Sequence, residues 1–160
     1  MQIALTSLDI LVVGTPPAEL RSAIDDFERR LTRHVTVRVR ELKGERLDRG
    51  ERLVQDAEGE RIIGAIERLD RSSATRHWVI ACHISGTQMT SEQLAEHVIS
   101  RPRVVVVVGG ACGLAPSVLD RADMQLSLGR ITLPHGMARL VVTEQLYRSW
   151  KIAHGEPYHH

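Results

Sequence analysis

Residues Val104 to Val108 are five consecutive valines, followed at once by Gly109-Gly110-Ala111-Cys112-Gly113. β-branched side chains favour an extended backbone. A strand with no polar alternation has no face to turn to water, so it is predicted to be central and covered on both sides, as in a parallel sheet. That one requirement demands helices on both faces and other strands on both edges. The remaining chain offers them. Asp9 to Gly14 reads as a buried first strand, and Pro16-Pro17 then open a helix striped with Leu20, Ile24, Phe27 and Leu31. Val35, Val37 and Val39 alternate with Thr36, Arg38 and Arg40, the period of a half-buried strand, with the arginines on its solvated face. Glu41 to Arg52 is a charged, glycine-punctuated loop, and a helix runs from about Glu51 to Leu69. Trp78 to Cys82 is the next buried strand, and His83 to Gly86 its exit loop. Thr90 is an N-cap for the helix carrying Leu94, Ala95 and Val98. Pro116 opens a short helix, and Met124 to Leu128 is the last strand. The alternation of strands and helices predicts one α/β domain over residues 1–160 with a mostly parallel sheet.

Ligands of parallel α/β sheets bind beyond the carboxyl ends of the strands. Three loops leave that side: Cys82 to Gly86, Gly109 to Gly113, and Leu128 to Gly136. The last is Gly129-Arg130-Ile131-Thr132-Leu133-Pro134-His135-Gly136, placed between a strand and a helix from Met137 to Ala153. Glycines there let backbone approach a ligand closely. Neither the P-loop pattern nor a spaced GxGxxG is present, so a backbone-lined pocket for an adenine or nucleoside fits better than a triphosphate site. The last helix carries Met137, Leu140, Val141, Val142, Leu146, Tyr147, Trp150 and Ile152 on more than one side. It needs cover on two faces, one from its own sheet and one from a partner subunit.

Composition limits the function classes. With 21 basic and 20 acidic residues, net charge +1, the chain does not announce a nucleic-acid binder by charge. The arginine cluster Arg29, Arg30, Arg33 with His34 reads as a solvated face or an RNA contact. Two cysteines, Cys82 and Cys112, have no metal-ligand spacing, so no metal is expected. No leader pattern and no run of transmembrane length occurs. The expectation is a soluble cytoplasmic protein that uses no membrane.

Several stretches together resemble a known family. They are Val107 to Leu114, Leu126-Ser127-Leu128 through Leu133-Pro134-His135, Arg139 to Trp150, and the terminal Pro157-Tyr158-His159-His160. The chain resembles RlmH, the 23S rRNA pseudouridine-N3 methyltransferases of the SPOUT class. The likeness is strong from Val104 onward and collinear back to Asp9. It implies an α/β knot, with a trefoil-knotted portion at about residues 104–160, and a homodimer with cofactor pockets near the dimer interface. It implies S-adenosyl-L-methionine as cofactor, held at Cys82, Gly109, Gly110 and the run Gly129, Arg130, Ile131, Thr132, Leu133 and Pro134. It implies methylation of N3 of a pseudouridine in a stem-loop of 23S rRNA, on the assembled ribosome.

That nitrogen starts as a weakly acidic imide N–H, so proton loss must be assisted. His159 is the first candidate for substrate contact or proton handling, because a neutral imidazole accepts a proton near pH 7. Tyr158 would stack on a base or order the tail, or else pack on the last helix. Arg139 would pair with phosphate or with the neighbouring subunit. Glu144 reads as a structural buried acid, and His135 as a cap of the last helix. The chain departs from the family at Cys82-His83, where Leu-Asp is common, at Gly86-Thr87, where Gly-Lys is common, and at Ala111-Cys112, where Pro-Glu is common. The competing readings are a SPOUT enzyme acting on another RNA such as tRNA, a catalytically inactive cofactor-binding protein of the ribosome, and, more distantly, a flavodoxin-like nucleotide module.

Overall fold

A computed structural model describes residues 1–158. Five strands, β1 (Ser7–Val13), β2 (Thr36–Leu42), β3 (Trp78–Thr87), β4 (Arg103–Val108) and β5 (Met124–Leu126), form one sheet. Its order is β2-β1-β4-β3-β5, and every neighbouring pair is parallel. The helices are α1 (Ala18–Thr32), α2 (Glu51–Arg71), α3 (Ser91–Ile99), α4 (Pro116–Arg121) and α5 (His135–Ala153). A short 3-10 turn, Leu47–Arg49, interrupts the loop before α2.

β4 lies between β1 and β3, and all of Val104 to Val108 is buried. The pleat divides the run. Val104, Val106 and Val108 join a core with Leu8, Ile10 and Val12 of β1, Leu94 and Val98 of α3, and Val142, Leu146 and Tyr147 of α5. Val105 and Val107 face the other way, into a second core with Leu11, Val13, Ile62, Ile66 and Leu69. The sheet is therefore a wall between two apolar layers, α1, α3 and α5 on one side and α2 and α4 on the other.

Two local readings change. β3 does not stop at Cys82. It runs on to Thr87 with a register shift between Cys82 and Thr87, because both residues pair with Leu126 of β5. The expected exit loop is thus partly strand. Arg38 is not simply solvated either. In the β1–β2 register Arg38 stands opposite Asp9, whose side chain is fully buried. The guanidinium grips it with Nε on Oδ1 at 2.8 Å and Nη2 on Oδ2 at 2.9 Å. A carboxylate inside a strand buried on both faces requires such a fork-to-fork partner.

α5 is packed by α1 and α3 of the same chain, so much of its wide apolar surface has intrachain cover. Replacing Arg38 by alanine would take from the buried Asp9 carboxyl both of its guanidinium hydrogen bonds. Arg38→Ala is expected to lower unfolding free energy by about 1–3 kcal/mol, the low end reflecting the half-exposed arginine. Urea titration followed by circular dichroism checks this.

Candidate functional site

The carboxyl ends of β3 and β4 and the segment after β5 enclose a cavity of about 760 Å³. That lies within the roughly 300–1,000 Å³ common for small-molecule sites. β3 supplies Cys82, His83 and Ile84; the turn after β4 supplies Gly109 to Leu114; the segment before α5 supplies Leu128, Gly129, Ile131, Thr132, Leu133, Pro134 and His135. The three loops singled out from the sequence therefore meet in one place. Of the residues carried over as cofactor contacts, Cys82, Gly109, Gly110, Gly129, Ile131, Thr132, Leu133 and Pro134 line the cavity. Arg130 is exposed and is not part of the lining.

The lining is mostly apolar side chain and backbone. Desolvation pushes the Cys82 thiol up to about 12, so it stays neutral and is a filler rather than a nucleophile. Gly129 has φ of +126°, a conformation costly for any residue with a Cβ. Gly110, besides lining the cavity, is required for a second reason. A Cβ there would stand 2.9 Å from Glu58 Oε2 and 3.1 Å from a Val13 methyl, so the space it leaves is filled by the protein's own side chains.

Sequence reasoning missed three residues that fix these loops. Ser127 is buried between Leu126 and Leu128. Its backbone N–H donates to the Thr87 carbonyl at 3.0 Å. Its hydroxyl oxygen accepts the Gly129 N–H at 3.3 Å. The hydroxyl proton is within reach of the Ile84 carbonyl at 3.1 Å and the Gly129 carbonyl at 3.0 Å, and serves one at a time. One side chain thus ties the end of β3 to the loop after β5. Gln55 of α2 donates to the Cys112 carbonyl at 2.6 Å, and Glu58, one turn on, stands behind Gly110. The signal for Ser127 was a lone hydroxyl in an apolar run. The two α2 residues look like ordinary helix polars in sequence.

Of the residues proposed for chemistry, Arg139 and Tyr158 do not line this chain's own cavity. Arg139 is 3% exposed and committed internally. Its Nη2 meets Glu28 Oε1 and its Nη1 meets Glu41 Oε1, both at 2.8 Å. It is not free for a phosphate or a second subunit, because two carboxylates from α1 and β2 already neutralise it. Arg21 shares Glu41 Oε1 at 2.6 Å. Tyr158 packs edge-on against Tyr147 of α5, with ring centroids 4.9 Å apart. Its hydroxyl donates to Glu144 Oε1 at 3.3 Å, which also accepts Arg148 Nη2 at 2.7 Å, and the Arg148 guanidinium lies 5.0 Å over the tyrosine ring. Glu144 is therefore bound by the side chains of Arg148, Gln145 and Tyr158. Burial, with the negative Glu144 beside it, raises the Tyr158 phenol above its ordinary value. His159 lies outside the described residues. His135 does not cap α5; its Nε2 is 3.3 Å from the Thr15 carbonyl and ties the start of α5 to the loop after β1.

Among the described residues no cluster of histidine, cysteine, aspartate or glutamate is arranged to hold a metal ion, and no helix is long and apolar enough to cross a membrane.

Comparison with known proteins agrees with this geometry. The family described as "Predicted SPOUT methyltransferase" matches residues 6–159. The chain is 40% identical to the ribosomal RNA large subunit methyltransferase H of Syntrophotalea carbinolica, over 99% of both chains. It is 35% identical to that of Clostridioides difficile, over 96% of this chain and 99% of the relative. Among solved structures it is similar in fold to a tRNA (m1G37) methyltransferase from Aquifex aeolicus, with a TM-score of 0.58 and 16% identity, covering 89% of this chain and 70% of the other. It is likewise similar to the SpoU methyltransferase AviRb of Streptomyces viridochromogenes, solved in complex with AdoMet, with a TM-score of 0.52 and 10% identity, covering 94% of this chain and 59% of the other.

The Arg139 cluster gives a pH prediction. The Arg21 hydrogen bond, helped by Arg139 and opposed by burial, holds the Glu41 carboxyl at about 2 against an ordinary 4.5. A depressed folded pKa contributes stability above 4.5 that is lost as pH falls toward 2. Wild type is expected to exceed Glu41→Gln by roughly 2–3 kcal/mol near pH 6, with the gap closing between pH 4.5 and pH 2. Denaturant midpoints taken across that range measure it.

Proposed function

The chain belongs to the SPOUT methyltransferases, and from that premise we propose that it methylates N3 of a pseudouridine in a 23S rRNA stem-loop, using S-adenosyl-L-methionine. The observation that carries the reading is the meeting of three loops in one backbone-lined cavity, in a chain collinear with large-subunit rRNA methyltransferases. The cavity fits the cofactor. It offers apolar wall for an adenosyl group and glycine backbone that its edges can approach closely, and the neutral Cys82 thiol adds no competing charge. Gly129, Ile131, Thr132, Leu133 and Pro134 would hold it from one side, and Cys82, Gly109 and Gly110 from the other; the exposed Arg130 stands at the rim of that set. When bound, the cofactor supplies the methyl on a positively charged sulfur. The chain's own residues position the groups and handle the proton.

Tyr158 and His159 are the proposed substrate-side residues. Tyr158 is held by Glu144, Arg148 and Tyr147, which fixes where the tail leaves α5. His159, the next residue, is the proposed proton acceptor at N3. Arg139 acts through structure, anchoring α5 to α1 and β2.

The reading includes a homodimer, a trefoil knot over about residues 104–160, an assembled ribosome as substrate, and a cytoplasmic location. Two observations support the dimer. Tyr158 is not in the lining of its own chain's cavity, so a second copy is the natural source of the tail. A stripe of α5, Met137, Leu140, Val141 and Ile152, also stays partly exposed after α1 and α3 have packed, and Ile131 beside the cavity is 73% exposed. A balanced net charge supports recognition of an assembled particle by shape rather than of naked RNA by charge.

The test is methyl transfer from labelled cofactor to intact ribosomes and free subunits that lack the modification, with the product mapped by nuclease digestion and mass spectrometry. Label in that pseudouridine on intact ribosomes is expected; cofactor binding with no label on ribosomes sinks the rRNA reading. Ser127→Ala should fold, yet bind cofactor about five- to tenfold more weakly, since one hydrogen-bonding link between two pocket loops is lost. Calorimetric titration reads this. Val141→Arg is expected to give a monomer by sedimentation and to abolish methyl transfer while each chain keeps its helical signal.

A further inference from the structure

The face of α2 turned toward β4 carries one charged group. Glu58 is 4% exposed. Its Oε1 accepts the backbone N–H of Glu45 at 2.9 Å. Its Oε2 is buried and has no hydrogen-bond partner among the described residues. The nearby cations are engaged elsewhere: Arg61 pairs with the Glu45 carboxylate at 2.7 Å, and Arg49 with the same carboxylate at 3.2 Å. The unpartnered oxygen is directed at Gly110, where a Cβ would stand 2.9 Å from it. Gly110 lines the cavity. A carboxylate therefore stands behind the pocket wall, against the side of Gly110 that carries no side chain and next to a Val13 methyl.

A buried carboxylate oxygen without partner is costly. Glutamine has nearly the same shape, would keep the bond from Glu45, and would carry no charge. Retaining glutamate there makes sense if the compensating positive charge arrives with the ligand. We propose that Glu58 is the residue that makes this pocket prefer a cationic sulfonium cofactor over the neutral thioether product.

The inference rests on the cofactor reading above. S-adenosylmethionine and S-adenosylhomocysteine differ by a methyl group and by one positive charge. When the methyl moves to the RNA nitrogen, the electron pair of the broken C–S bond stays on sulfur and the sulfonium charge disappears. The attraction from Glu58 disappears with it. The residue thus favours binding before transfer and release after it, without touching the reacting atoms. Glu51, the other acid at the cavity, is exposed at its mouth, where water screens it. A unit charge behind one layer of backbone, at an effective dielectric of about 20, changes the affinity of a cation roughly tenfold.

The test compares wild type, Glu58→Gln and Glu51→Gln by calorimetric titration with three ligands. These are S-adenosylmethionine, S-adenosylhomocysteine, and sinefungin, which carries a protonated amine in place of the sulfonium. Glu58→Gln is expected to weaken the two cations roughly tenfold and to leave the neutral thioether within about twofold. Glu51→Gln should leave the ratio near that of wild type. The thermal midpoint of ligand-free Glu58→Gln should equal or exceed that of wild type, because a buried unpaired charge has gone. Equal weakening of all three ligands would mean that Glu58 only packs the glycine turn, and would overturn the proposal, as would no change in any. If Glu58→Gln does not fold, Glu58→Ala, which also removes the charge, should lower the cation-to-thioether ratio by the same roughly tenfold; an unchanged ratio refutes the idea. Wild type that binds none of the three defeats the cofactor reading itself. Wild type that binds all three, with a ratio indifferent to Glu58, defeats this inference alone.

Discussion

Burial of β4 on both faces governs the rest of the molecule. A strand with apolar cover above and below can show polar backbone only at its ends, since every buried N–H and C=O must be paired along the sheet. With β1 on one edge and β3 on the other, β4 has no free edge. Its pairing ends at Val107 toward β3 and at Val108 toward β1, just before the glycine turn. β3 and β5 end on the same side because all the strands are parallel. The cavity is therefore not an addition to the fold. It is the place where a doubly covered sheet runs out of partners.

Charged groups inside such a sheet must be answered individually, and each answer here serves to position an element. Arg38 neutralises Asp9 across β1 and β2 and locks the register of that edge. Arg139 takes carboxylates from α1 and β2 and fixes the start of α5 against both. Among the described residues Glu58 has one hydrogen-bond partner for its two oxygens, the Glu45 N–H. The first two close their charge within the chain, whereas the third keeps one oxygen free behind the pocket wall. That contrast separates structural charges from one with a use toward a ligand.

The tail and the cavity occupy different parts of α5. The N-terminal end of the helix closes the cavity through Pro134, His135 and Ala138. Its C-terminal half holds Tyr158 through Glu144, Arg148 and Tyr147. One helix thus carries the cavity wall and the anchor of Tyr158, and keeps them apart. In the proposed dimer, a twofold pairing along the partly exposed stripe that includes Leu140 and Val141 would set one chain's Tyr158 toward the other's cavity.

The sequence by itself determined the layered α/β architecture, the three loops of the cavity, and most of its lining. Those features follow from local rules: β-branched runs for strands, proline and threonine at helix starts, glycine where backbone turns at a strand end. Only the tertiary structure decided what each polar residue faces. Arg38 read as solvated and is exposed, yet its guanidinium is committed to Asp9; Arg139 read as a phosphate or subunit contact and is enclosed by Glu28 and Glu41; Gly110 read as a close approach to a ligand and lines the cavity, but its other side also abuts Glu58. Ser127, Gln55 and Glu58 gave no strong signal because their partners, at Ile84, Cys112 and Gly110, are far along the chain. Hydrophobic burial is nearly directionless and leaves a periodic trace in sequence. Hydrogen bonds and ion pairs are specific to a partner a few ångströms away, and that partner is chosen only when the sheet and helices have packed.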